Sequence, residues 1–105
     1  MNKKLPMLTV RICGIDVNVE FSDPTMWANA GMGRCSQKEN RIAICNGMDS
    51  DVEGATFLHE VIHMIADMNE LRDLKNDETT IAVLANALNA FLKDNELEYW
   101  GGGDR

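Results

Sequence analysis

At 105 residues, with 45% hydrophobic and 26% charged side chains, the chain has the composition of one globular domain with a single modest core. Its net charge of −7 and its ten scattered Lys and Arg argue against direct nucleic-acid binding, which needs clustered cations. No apolar run approaches the length that spans a bilayer, so no membrane partner is expected.

Leu8, Val10 and Ile12, then Ile15, Val17, Val19 and Phe21, recur at every second position with Gly14 between the two sets, which predicts a β-hairpin. Asp23-Pro24 closes it, and residues 25–30 make a short connection in which Met26 and Trp27 are packing residues and a brief helical turn is allowed. A second strand pair is predicted at residues 32–36 and 41–45, joined by the polar run Gln37-Lys38-Glu39-Asn40. Asn46-Gly47 ends it. Ser50-Asp51-Val52-Glu53 then matches a capping box, in which the serine oxygen and the glutamate carboxylate satisfy the first free N–H groups of a helix.

In that helix Leu58, Val61, Ile62, Ile65 and Met68 form the core-facing stripe, and Asn69 or the polar residues 70–73 end it. Asn76-Asp77-Glu78 opens a second helix whose apolar face is Ile81, Leu84, Ala85, Leu88, Phe91 and Leu92. The order predicts an α+β domain over residues 1–100, with a small antiparallel sheet of three to four strands followed by two packed helices. Residues 101–105 read as a flexible tail, and Tyr99 and Trp100 are candidates to fold back. Cys13, Cys35 and Cys45 are odd in number, lack C-x-x-C spacing and follow no signal-peptide pattern. They are expected to be reduced, small buried hydrophobes in a cytoplasmic protein.

The chemistry is concentrated in His59-Glu60-Val61-Ile62-His63, which holds both histidines of the chain. Residues four apart lie on one helix face, so His59 and His63 can offer two imidazoles to one metal ion while Glu60 remains free to take a proton. Chance places two histidines at this spacing, with a glutamate directly after the first, roughly once in seven hundred trials. Catalytic zinc takes three protein ligands and leaves a fourth position for water. With no third histidine, the remaining ligand is a carboxylate or a thiolate. The helix that packs beside the first is the place to look, which makes Glu78 the leading candidate, although an acid in a first helical turn also serves the helix dipole. Asp67, four residues after His63, reads better as a partner that orients an imidazole than as a ligand, and Asp77 and Glu70 are lesser options.

The order of hairpin, second strand pair, Thr56-Phe57-Leu58-His59-Glu60-Val61-Ile62-His63 and then Glu78 leading into Ile81, Leu84-Ala85-Asn86 and Leu88 resembles the small gluzincin-type metallopeptidases. These are related to ImmA/IrrE proteins and to phage-encoded short HExxH proteins. The resemblance covers most of the chain and implies a minimal zincin-like fold, with Zn2+ held by His59, His63 and Glu78 and with Glu60 as general base. The implied activity is hydrolysis of a peptide bond in a peptide or protein substrate, one specific protein being a candidate target. The segment at residues 32–45 offers a sheet edge for such a substrate, and Met26, Met32 and Met48 an adaptable apolar surface beside it. Tyr99, Arg34 and Arg41 are the side chains of a type that could stabilise an oxyanion. The alternative is a binding or regulatory module that keeps zinc for stability and has little or no proteolytic activity.

Overall fold

The alternating segment forms the predicted hairpin, and its reversal takes two residues. The computed structural model describes residues 7–22 and 33–97. In it β1 (Met7–Ile12) pairs antiparallel with β2 (Ile15–Ser22), which sets Leu8 opposite Val19 and Val10 opposite Val17. Cys13 and Gly14 adopt φ of 52° and 80°. Two successive positive φ values give a turn whose twist matches that of the strands, and at the second position glycine meets this without strain. The turn leaves Cys13 exposed, unlike the half-buried Cys35 and the buried Cys45, so the expectation of three buried cysteines is corrected at the first.

The second strand pair is β3 (Gly33–Ser36) and β4 (Arg41–Cys45), antiparallel and joined by residues 37–40. Asn40 closes the turn at φ 51°, its N–H donating to the Gln37 carbonyl at 3.2 Å. The sheet order is β1-β2-β4-β3, and β4 runs parallel to β2. The α+β class and the four strands are as expected, but the sheet is mixed rather than wholly antiparallel. The reason lies in β4, where Ile42, Ala43, Ile44 and Cys45 are all buried. A strand so apolar on both faces belongs inside a sheet, so β4 rather than β3 lies beside β2, antiparallel to its hairpin partner and parallel to β2.

Register then decides what faces inward. Val19 pairs with Ile42 and Phe21 with Ile44, while Cys35 pairs with Ile42 and Gly33 with Ile44. These side chains share one face, and it is covered by α1 (Ser50–Met68), whose Phe57 and Met64 complete the main core. Leu58, Val61, Ile65 and Met68 of the predicted stripe pack at its border. Ile62 turns away to join Ile81 and Ala85 in a second, smaller cluster. The helix is therefore buried on two sides, towards the sheet and towards the next long helix.

The start of α1 differs in detail from the predicted capping box. Asp49 is the N-cap, Ser50 is already helical, and the N-cap side chain makes no capping hydrogen bond. Glu53 lies buried instead of on the surface turn. At the other end Asn69 is the C-cap, and Glu70 takes φ 56°. The Glu70 N–H donates to the Asp67 carbonyl at 3.2 Å and the Leu71 N–H to that of Ala66 at 2.8 Å. This paired closure satisfies carbonyls that the helix end would otherwise leave open.

A four-residue helix, α2 (Arg72–Lys75), occupies the polar stretch expected only to end the first helix. It leads into α3 (Glu78–Asp94), capped by Asp77, which accepts from the Thr80 N–H at 3.0 Å. Ile81 and Ala85 are buried, Leu92 is half-buried, and Leu84, Leu88 and Phe91 are exposed. The apolar face of α3 is thus narrower than predicted, because the helix touches α1 along one line rather than lying across a broad core. Among the described residues no helix is long and apolar enough to cross a membrane. The expected connection with Asp23-Pro24, Met26 and Trp27, the start of the second strand pair at Met32, the residues Tyr99 and Trp100, and the tail at 101–105 lie outside the described residues.

Candidate metal centre

The site forms where two local rules meet. Four-residue spacing in α1 stacks His59 and His63 on one side of the helix, with ring centroids 4.9 Å apart and planes tilted by 49°. The Asp77 cap sets the first turn of α3, and Glu78 is its first residue. The two helices run antiparallel. The Asn89 side-chain amide donates to the Asp51 carbonyl at 3.1 Å, and Lys93 forms an ion pair with Asp51, so the end of α3 lies at the start of α1. The start of α3 accordingly lies beside the second half of α1, and Glu78 meets both histidines.

His59 Nε2 is 2.9 Å from Glu78 Oε1, and His63 Nε2 is 3.1 Å from both carboxylate oxygens. The three side chains form a group whose donor atoms all lie within 4.8 Å of one another, and they could hold a metal ion. Donor chemistry and spacing both fit. Two imidazoles and a carboxylate suit a divalent ion, and tetrahedral ligands at about 2.0–2.1 Å would stand roughly 3.3 Å apart. Widening the observed contacts by a few tenths of an ångström meets that requirement. The Glu78 side chain is 69% exposed, so this adjustment disturbs no packed core. Burial pushes its carboxyl up, but the hydrogen bonds and charges of His63 and His59 outweigh that and hold it below the usual range.

Glu60 stands apart from the three. It is 7% exposed, on the side of α1 that faces β3. Burial is the largest influence on its carboxyl and pushes it up, against the lowering effect of His59, His63 and a hydrogen bond from Cys35. A carboxyl raised by burial and placed beside side chains that could hold a metal ion is suited to accepting a proton. Beside it opens a cleft of about 660 Å³ between α1 and α3, with Thr56, His59 and Glu60 on one wall and Ala85, Asn86 and Asn89 on the other. Asn89 is 6% exposed, and its Oδ1 has no hydrogen-bond partner among the described residues.

The other candidates are placed elsewhere. Asp67 forms an ion pair with Lys75 at 3.0 Å, Asp77 serves the α3 cap, and Glu70 occupies the turn after α1. Arg34 and Arg41 alternate with the inward residues of β3 and β4 and so lie on the sheet face away from α1, where Arg41 pairs with Glu20. Neither is directed at Glu60, and Tyr99 lies outside the described residues. Gly33 and Cys35 of β3 and the buried Asn89 of α3 also belong to the site, though the motif does not mark them. The alternation that pairs Cys35 with Ile42 carried the signal for the first two, but only once the strand order is known.

Comparison with protein-family models, curated proteins and solved structures returns no match.

Proposed function

We propose that this protein is a small zinc-dependent metallopeptidase of the gluzincin kind, similar to ImmA/IrrE-related and short phage-encoded HExxH proteins. One observation carries the reading. Both histidines of the HExxH segment direct Nε2 at the carboxylate of Glu78, while Glu60 is held back from that group in a buried position. His59, His63 and Glu78 would hold the ion, and two imidazoles with one carboxylate are a donor set that catalytic zinc takes. Zinc bound there would supply Lewis acidity and lower the pKa of a water towards about 7.

The remaining chemistry belongs to the chain. Glu60 takes the proton from the attacking water and passes it to the leaving amine, for which a carboxyl raised by burial is well matched. The cleft between α1 and α3 receives part of a peptide substrate, and β3, at the edge of the sheet, offers backbone groups to an extended segment. A chain of 105 residues has little room for a deep specificity pocket, which favours a protein target recognised over a wider area than the cleft. The cysteine pattern fits a reducing, cytoplasmic setting.

The test is peptide-bond hydrolysis by the zinc-loaded protein and its Glu60→Gln variant on a mixed peptide library. Glu60→Gln should keep metal content and fold and lose turnover by a factor on the order of 10² or more. Equal turnover in both would remove the catalytic reading. It would favour a second one, a zinc-stabilised binding or regulatory module, for which the small cluster of Ile62, Ile81 and Ala85 between α1 and α3 speaks: a metal there would add to a small apolar contact.

A further inference from the structure

β3 approaches α1 so closely at Gly33 that a Cβ there would force its neighbours to shift. A Cβ built on Gly33 would lie 2.8 Å from Thr56 Cγ2, 3.1 Å from Glu60 Cγ and 3.2 Å from Glu60 Oε2. The space that glycine leaves is therefore taken by the side chains of Thr56 and Glu60. Two residues along the same strand, and so on the same face, Cys35 is half-buried and packs against the core beneath α1, which puts its thiol on the face that Glu60 occupies. A carboxylate with so little access to water needs donors from the protein, and a thiol has one proton to give.

We propose that the inner face of β3 positions Glu60: Gly33 vacates the volume in which the carboxylate sits, and the Cys35 S–H donates to it and fixes its direction. The inference rests on the peptidase reading for its catalytic consequence and on the β3–α1 contact for its structural one. Both residues are positioning residues, since each acts through Glu60. The neighbouring charge agrees with the arrangement. Burial first, then the Glu60 charge and the hydrogen bond to it, push the Cys35 thiol up to about 12, so it stays protonated and able to donate at neutral pH.

The experiment has a spectroscopic arm and a kinetic arm. In the infrared spectrum of the whole protein, the S–H stretching band of Cys35 is the one lost in Cys35→Ser. In Glu60→Gln it should move to higher frequency, as the charged acceptor gives way to a neutral one. A band that does not move overturns the proposal, whatever the activity. In the kinetic arm, Cys35→Ala should lower kcat about tenfold with KM, zinc content and melting temperature held, and Cys35→Ser should restore most of the loss. Parent-like kcat in Cys35→Ala overturns the proposal. For Gly33 the single alanine also meets Thr56, so the double variant Gly33→Ala/Thr56→Ser removes that clash and leaves Glu60 crowded. It should fold, bind zinc and lose turnover on the order of 10²-fold. A parent protein that binds zinc but hydrolyses nothing would defeat the peptidase reading alone, and the infrared band would still decide whether β3 holds Glu60.

Discussion

Glu60 and Glu78 are the same residue type under opposite conditions. Glu78, exposed and shared by two imidazoles, is held below the usual carboxyl range, whereas Glu60, buried beneath β3, is pushed above it. Environments that push two carboxyls apart mark different roles, here ligand and base. Stability follows with a definite sign. Because the folded Glu60 carboxyl titrates above its unfolded value, its contribution is fully present below the ordinary value of 4.5 and is lost as pH rises through the folded value. Metal-free Glu60→Gln should therefore melt higher than the metal-free parent at pH 7 to 8 and close to it below 4.5, as thermal unfolding across that range will show. At this scale the sequence was informative where the chemistry is local. His59, Glu60 and His63 are fixed relative to one another by the helix repeat. Gly33 and Cys35 could not be read as their neighbours, because a strand pairing brings them there from more than twenty residues away.

Among the strands, β4 is the one buried along nearly its whole length, from Ile42 to Cys45. Its Ile42 and Ile44 have no exposed surface and link β2, β3 and α1. Ile44→Ala should cost about 2–5 kcal/mol in denaturant unfolding, since it opens a cavity in the main core. Leu88→Ala, on the exposed side of α3, should stay within about 0.5 kcal/mol. The hairpin, the strand pair and the start of α3 were legible because alternation, turn residues and caps act over a few positions. The parallel pairing of β2 with β4 was not, since it depends on which strand the completed core buries most deeply. The apolar face of α3 was overread for a related reason: periodicity states which residues could be covered, and only tertiary contact states how many are. The closure of α1 on Asn69 and Glu70 lay within the predicted stretch, although nothing in those residues announced the short α2 that follows.

For the molecule as a whole, α1 is the shared element, held among the described residues to the sheet by a core of eight buried side chains and to α3 by a cluster of three. The proposed ion would bridge the contact with the smaller apolar cluster, with two ligands on α1 and one on α3. Zinc at a hundred times its Kd would add about 2.7 kcal/mol to folding stability. Chelation should then speed amide hydrogen exchange in α3 while leaving β2 and β4 protected, because only the α1–α3 contact loses a tie. Uniform loss of protection across sheet and helices would argue that the metal supports the entire fold. The measurement closest to the central claim is calorimetric titration of the metal-free protein and its Glu78→Ala variant with zinc. The account predicts one ion per parent chain and an affinity lower by about 100-fold or more in the variant. Equal stoichiometry and affinity in the two proteins would contradict it.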